Sequence, residues 1–342
     1  MAASKIRVLV VDDSLFVRRF ICDAIEKDPN LEVVGTASDP YDARDKIIEL
    51  APDVMTLDVE MPRMNGIEFL RQLMPQYPLP VLVVSSVSDA VFDALEAGAV
   101  DFVNKTNLSD AAGRDAFAQE LVVKIKIASI AKVGQHKKAM PTTTGKVIGG
   151  LNRRIIALGA STGGTEATYS IMKDLQRDLP GMVIVQHMPP VFTRMYAERL
   201  NNTCPMEVKE AENGDEIRPG RALVAPGEYQ LEVQKQGTKY VVRVYKGEKV
   251  SGHCPSVDVL FQSVAKVYGK DAIGVLLTGM GADGAKGLLE MYKTGATTIG
   301  QDKETSVVYG MPQAAKNLGG VTKELPLGQI ARGIYQWQGT YK

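Results

Sequence analysis

Arg154-Ile-Ile-Ala-Leu-Gly-Ala-Ser-Thr-Gly-Gly164 runs an apolar segment, Ile155 to Leu158, straight into a glycine-bounded turn, and a helical pattern follows. A short apolar run bounded by such a turn reads as a buried strand. Small residues on either side of Ser161 let the chain reverse sharply and let another group approach the backbone. Strand, sharp turn and helix N-terminus make one unit of a parallel α/β fold. The turn also lifts the Ser161 hydroxyl to its apex and directs backbone N–H groups toward whatever the serine meets. Glycine-rich strand-to-helix turns bind phosphates and nucleotides as well. A nucleophile, an anion-binding loop and a plain reversal therefore remain open on this stretch alone.

Downstream, the same grammar repeats. Met182 to Gln186, Ala272 to Leu277 and Thr297 to Gly300 read as strands. Gly164 to Gln176, Val257 to Val267, Asp283 to Lys293 and Pro312 to Asn317 read as helices. Between 204 and 245 the period shortens and turn signals multiply, as in Glu212-Asn-Gly-Asp215 and Lys235-Gln-Gly-Thr238. That pattern predicts an antiparallel, hairpin-rich β insertion in a mostly parallel α/β unit.

Upstream, strand and helix also alternate. Ile6 to Val11, Leu31 to Gly35, Val54 to Asp58, Val81 to Ser85 and Val100 to Val103 read as strands. Helices are expected over Leu15 to Lys27, Pro40 to Leu50, Gly66 to Met74, Ala90 to Ala97 and Gly113 to about Lys132. Five strands with crossover helices predict a doubly wound, flavodoxin-like parallel sheet. The chain thus divides into an N-terminal domain, 1–132, a linker, 133–149, and a C-terminal domain, 150–342. Gly134 to Lys146 is polar, lacks periodicity and carries proline and glycine, which suits a tether.

Composition limits the partners. The 342 residues carry 40 basic and 40 acidic side chains, so no nucleic-acid surface is expected. No apolar run approaches the roughly 20 residues that span a bilayer, and Met1-Ala-Ala-Ser-Lys-Ile-Arg7 does not read as a secretory signal. Cys22, Cys204 and Cys254 lack paired spacing and fit a reducing cytoplasm.

Chemistry gathers at predicted strand ends. In the first half these are Asp12, Asp13, Asp58, Ser85 and Lys105. Clustered carboxylates repel one another unless a cation sits among them, and oxygen ligands suit Mg²⁺ or Mn²⁺. A carboxylate beside a metal and a lysine could accept a phosphoryl group, because both cations offset charge on the transferred oxygens.

In the second half Ser161 needs a base, since its hydroxyl is barely ionised near neutral pH. The chain has three histidines, and His136 lies in the linker, which leaves His187 or His253. His187 closes an apolar strand and is favoured; His253 precedes a helix start and is expected to matter less. Asp283, on the turn Thr278-Gly-Met-Gly-Ala-Asp-Gly284, could orient the base or simply cap a helix. Backbone N–H groups of Thr162 and Met280 are the candidate oxyanion hole. The order Ser161, His187, Asp283 differs from the serine, acid, histidine order of α/β-hydrolases, so this is not that fold. A DNA-binding output is disfavoured by the lack of a basic recognition helix. A nucleotide-binding output is disfavoured because Gln186-His187, with no acidic residue, ends the next strand.

Val10-Val-Asp-Asp-Ser14, Asp58-Val-Glu-Met-Pro62, Asn65-Gly66, Ser85-Ser86 and Asn104-Lys105 resemble the receiver domain of two-component response regulators, over residues 5 to about 130. The resemblance implies that Asp58 accepts phosphate from a histidine kinase. It implies Mg²⁺ on Asp12, Asp13, Asp58 and the Val59 carbonyl, phosphoryl contacts from Ser85 and Lys105, and an aromatic switch at Phe102. Thr106 stands where the family usually has proline, which leaves the isomer of the Lys105–Thr106 bond open. Gly159-Ala-Ser-Thr-Gly-Gly-Thr165, Gln186-His-Met-Pro-Pro190, Pro255-Ser-Val-Asp-Val-Leu-Phe261 and Leu277-Thr-Gly-Met-Gly-Ala-Asp-Gly284 resemble the chemotaxis receptor methylesterase family, over 153 to about 320. That implies hydrolysis of γ-glutamyl methyl esters and deamidation of glutamines on chemoreceptors, by Ser161, His187 and Asp283 without a cofactor. It also implies that the receiver restrains the esterase until phosphorylated. The alternative is a receiver-regulated output that binds a nucleotide or protein without catalysis. Gln230 departs from a histidine common in the family and is expected to touch only a peripheral contact.

Overall fold

The computed structural model describes residues 4–86, 88–105, 108, 110–134 and 153–339. Nearly all of the expected linker lies outside the described residues, as does Thr106 and with it the Lys105–Thr106 bond. The chain divides into two compact units, Met1–Gln135 and His136–Lys342.

The first unit alternates β1 (Ile6–Val11), α1 (Leu15–Glu26), β2 (Leu31–Ala37), α2 (Pro40–Leu50), β3 (Val54–Leu57), α3 (Gly66–Leu73), β4 (Val81–Ser85), α4 (Ser88–Glu96), β5 (Asp101–Asn104) and α5 (Ala111–Ser129). The strands form one parallel sheet in the order β2-β1-β3-β4-β5. Central strands are buried along their length, as a sheet covered on both faces requires. Side-chain caps start the helices: Ser14, Asp39, Asn65 and Asp110 each accept a backbone N–H of the first turn. The Asp110 cap starts α5 two residues before the glycine-based expectation.

The second unit is built on a seven-stranded parallel sheet, β14-β13-β12-β6-β7-β9-β8. These strands are β6 (Ile155–Ala160), β7 (Gly181–Gln186), β8 (Glu207–Glu210), β9 (Arg221–Val224), β12 (Ala272–Leu276), β13 (Thr297–Gln301) and β14 (Lys323–Leu325). An antiparallel hairpin, β10 (Gln230–Gln236) with β11 (Lys239–Tyr245), stands beside it. The segment 204–245 is therefore split. Its second half is the expected hairpin, whereas β8 and β9 join the edge of the main sheet in parallel. Turn residues at Glu212–Asp215 lie in the connection between parallel β8 and β9, where Gly214 N–H donates to the Val242 carbonyl of β11 at 2.8 Å.

Helices α8 (Val257–Tyr268), α9 (Ala285–Lys293) and α10 (Met311–Asn317) lie within two residues of expectation, whereas α6 (Gly164–Met172) ends four residues before the expected Gln176. Two helices and a strand were not read from sequence: α7 (Phe192–Thr203), α11 (Leu327–Gln338) and β14. The signal for α7 was present, since Phe192, Tyr196, Ala197 and Leu200 recur at helical spacing and are buried. Strand β6 lies at the centre, with β7 on one side and β12 on the other. That reversal of direction is where parallel sheets open a crevice at their carboxyl ends. Gly159 lets α8 press onto β6, for a Cβ there would lie 2.2 Å from Val257 Cγ1.

Candidate functional sites

In the second unit, three adjacent parallel strands release the chemistry on one rim. Ala160 of β6 pairs with Gln186 of β7, and Gly159 pairs with Leu276 of β12. Ser161, His187 and the 277–284 turn therefore leave the sheet side by side. Backbone bonds continue the register beyond the strands: His187 N–H donates to the Ala160 carbonyl at 3.1 Å, and Ser161 N–H to the Thr278 carbonyl at 3.0 Å. Gln186, buried at the end of β7, clamps both turns. Its Nε2 donates to the Ser161 carbonyl at 2.9 Å and lies 3.3 Å from that of His187. The sequence marks Gln186 as the residue that closes this strand, but its clamping of the two turns is visible only in the fold.

His187 Nε2 lies 2.8 Å from Asp283 Oδ2. A carboxylate only accepts, so Nε2 carries a proton, and in the neutral imidazole the lone pair is then on Nδ1. Nδ1 is buried and has no hydrogen-bond partner among the described residues, so the Ser161 hydroxyl does not bond it in this structure. Asp283 is almost wholly buried and receives four further donors: Ser256 Oγ at 2.7 Å, Val257 N–H at 2.8 Å, Asp258 N–H at 3.1 Å and Gly284 N–H at 3.1 Å. Three of these belong to the start of α8, so the carboxylate sits where a helix N-terminus favours negative charge. Burial by itself would raise the Asp283 pKa. The bonds from His187, Ser256 and Val257 outweigh it and hold the carboxyl below the usual range. Asp283 does serve as a cap, but of α8 and not of its own helix α9.

The 277–284 turn is tied in from below. Thr278 Oγ1 lies 3.0 Å from the Thr162 carbonyl and accepts the Val308 N–H at 2.9 Å. Gly279 carbonyl accepts from Met311 at 2.8 Å and Gly310 at 3.1 Å. Of the two oxyanion candidates, Thr162 is buried on the Ser161 turn and Met280 is exposed on the neighbouring one.

His253 is at the same site. Its ring stacks on that of His187, with centroids 3.7 Å apart and planes 9° from parallel. Burial and the adjacent His187 push its pKa down to about 4, so it is neutral at neutral pH. Gln230 is also not peripheral. It is buried, donating to the Glu248 carbonyl at 2.9 Å and accepting from Ser256 N–H at 2.9 Å.

In the first unit, Asp12, Asp13 and Asp58 offer carboxylate oxygens that all lie within 4.8 Å of one another. Lys105 Nζ bridges Asp12 at 2.6 Å and Asp58 at 2.8 Å. Burial raises the Asp12 pKa despite Lys105, and Asp58 pushes it the same way. Ser85 is buried at the end of β4. Phe102, on β5, is buried, with Lys124 Nζ 4.9 Å from its ring centroid. The Val59 carbonyl accepts Gly66 N–H at 2.9 Å at the start of α3, which uses one of its two lone pairs.

Two parallel α/β units, one with an acidic pocket bridged by lysine and the other with serine, histidine and aspartate on one rim, define a response regulator with an enzyme-like output. Residues 8–112 match the response regulator receiver domain family and residues 156–334 match CheB methylesterase. The chain belongs to the CheB methylesterase family. It is 55% identical to protein-glutamate methylesterase/protein-glutamine glutaminase 2 of Syntrophomonas wolfei, over 98% of each chain. It is 47% identical to protein-glutamate methylesterase/protein-glutamine glutaminase of Salmonella typhimurium, over 96% of each. Among solved structures, the Thermotoga maritima CheB methylesterase catalytic domain is similar at 38% identity and TM-score 0.53, covering 54% of this chain and 97% of that one. Among the described residues no helix is long and apolar enough to cross a membrane.

Proposed function

We propose that this chain hydrolyses glutamyl methyl esters, and deamidates glutamines, on methyl-accepting chemoreceptors in the cytoplasm, under control of Asp58 phosphorylation. The observation that carries the reading is the His187–Asp283 hydrogen bond of 2.8 Å beside Ser161, on three adjacent parallel strands. Ser161 Oγ attacks the ester carbonyl carbon as its proton passes to His187 Nδ1. Asp283 holds the Nε2 proton and stabilises the imidazolium. Backbone N–H groups of Thr162 and Met280 receive the oxyanion. Collapse breaks the carbon–methoxy bond, and His187 returns the proton to the departing methanol. Water then repeats the sequence on the acyl-enzyme, releasing glutamate and restoring Ser161. Deamidation follows the same course with ammonia leaving.

In the receiver, Asp12, Asp13 and Asp58 fit a divalent cation: three oxygen donors converge, and Lys105 pairs with two of the carboxylates. Mg²⁺ bound there would neutralise charge on the transferred phosphoryl oxygens. Asp58 accepts the phosphoryl group from the chemotaxis histidine kinase, Ser85 and Lys105 contact it, and Phe102 reports it. The Val59 carbonyl, which accepts one hydrogen bond from Gly66 N–H, keeps a second lone pair for the cation.

The test is methanol release from methylated receptor. Ser161→Ala should abolish release while circular dichroism and thermal unfolding stay those of the parent. Full activity without the Ser161 hydroxyl would sink the reading.

A further inference from the structure

The His187–Asp283 hydrogen bond acts at one edge of the His187 ring. It sets the tautomer, yet a single in-plane contact leaves the ring able to tilt about the Nε2–Oδ2 line. The face of the ring is covered by His253, at 3.7 Å between centroids and 9° between planes. That separation is van der Waals contact over the whole ring.

His253 is itself held firmly. It closes a tight bridge with Val250, each N–H donating to the other's carbonyl at 2.9 Å. Ser251, inside that bridge, places Oγ 3.4 Å from Asp258 Oδ2. Asp258 lies in the first turn of α8, and its own N–H donates to Asp283. Buried Gln230 lies beneath the bridge, its Nε2 3.4 Å from the His253 carbonyl. The bridge, α8 and the Asp283 carboxylate are thus one assembly that grips His187 at its edge and its face. The charged and titratable groups acting on His253 are His187, Asp283 and Lys249. None of them makes a hydrogen bond to the His253 ring, so nothing here equips it as a second base.

We propose that His253 is a positioning residue for ester hydrolysis: its flat ring, clamped face to face on His187, holds the imidazole with Nε2 on Asp283 and Nδ1 free to take the Ser161 proton. This rests on the esterase reading. What matters is the flat face of the ring and not its nitrogens.

The experiment compares His253→Ala and His253→Phe in the phosphodonor-treated full chain. His253→Ala should lower kcat for methanol release by roughly tenfold to a hundredfold, as expected for a mispositioned catalytic group. KM should change little, because the substrate meets the same surface. His253→Phe, which restores a flat face without nitrogens, should recover most of the lost kcat. Proton NMR supplies a second readout. The low-field resonance of the His187 Nε2 proton should persist in the parent and in His253→Phe, and should broaden or vanish in His253→Ala. Thermal unfolding confirms that each variant is folded. Parent-like kcat in His253→Ala would overturn the proposal, and so would His253→Phe as slow as His253→Ala with the resonance intact. If the parent itself releases no methanol, the esterase reading fails. The resonance still shows in that case whether His253 clamps His187.

Discussion

Replacing Asp283 by asparagine tests the site most sharply, because the structure assigns its carboxylate two jobs that the substitution separates. Oδ1 receives Ser256 Oγ, Asp258 N–H and Gly284 N–H; Oδ2 receives His187 Nε2–H and Val257 N–H. An asparagine keeps one acceptor oxygen, best placed on the three-donor side. Its amide NH₂ then faces the two remaining donors. Val257 N–H loses its partner in a buried place, at a cost of about 1–3 kcal/mol. Removing negative charge from the N-terminus of α8 adds about 0.3–2 kcal/mol. The sum predicts roughly 1–5 kcal/mol of lost stability, read as a lower midpoint in denaturant. His187 can accept from the new NH₂ only by moving its proton to Nδ1, which removes the base. The same tautomer exchange in serine proteases lowers kcat by about 10⁴, and a loss of roughly 10³–10⁴ is expected here. The stability difference also depends on pH. The Asp283 pKa lies below the ordinary aspartate value in the folded chain, because the bonds from His187, Ser256 and Val257 outweigh the effect of burial. Its contribution is thus complete above the unfolded value, about 3.9, and fades as pH falls through the lower folded value. Parent and variant should converge in stability in acid. Parent-like kcat alongside lost stability would reduce Asp283 to a helix cap. Parent-like stability would refute the account of its burial.

Three further outcomes are expected. Gly279→Ala should lower both kcat and the unfolding temperature, because the added Cβ would lie 2.3 Å from Met311 Sδ and 2.7 Å from Ser161 Cβ, and the serine turn must shift. Acetyl phosphate with Mg²⁺ should place one base-labile phosphoryl group on the chain, and Asp58→Asn or a chelator should each prevent it; labelling that survives both would remove Asp58 and the acidic pocket from the phosphoacceptor role. A fragment starting near Lys146 should release methanol faster than the unphosphorylated full chain, by the roughly fivefold to 150-fold that a coupling of about 1–3 kcal/mol allows. Phosphodonor should raise the full chain and leave the fragment unchanged, whereas a fragment no faster than its parent excludes restraint by the receiver.

Local sequence determined the periodic elements and the residues at their ends. Ile155 to Leu158 ends at glycine and serine, Val183 to Val185 ends at Gln186-His187, and Ala272 to Leu276 leads to the turn with Asp283. Each is an apolar run followed by residues that cannot continue it, and such signals are written within a few neighbouring positions. The pairing of those strands was not written there. That β7 and β12 flank β6, and so bring residues 161, 187 and 283 together, depends on which buried faces pack best across the whole domain. For the same reason β8 and β9 went into the main sheet although their turns read as hairpins. Burial also decided what single residues do. Gln186 read only as the end of a strand and Gln230 only as a peripheral contact until the fold closed around them and made their amides, with the Thr278 hydroxyl, the ties between turns. His253 read as the weaker of two candidate bases. Only the packing of the Val250–His253 bridge against α8 laid its ring on His187, a contact between residues far apart in sequence that no local pattern encodes.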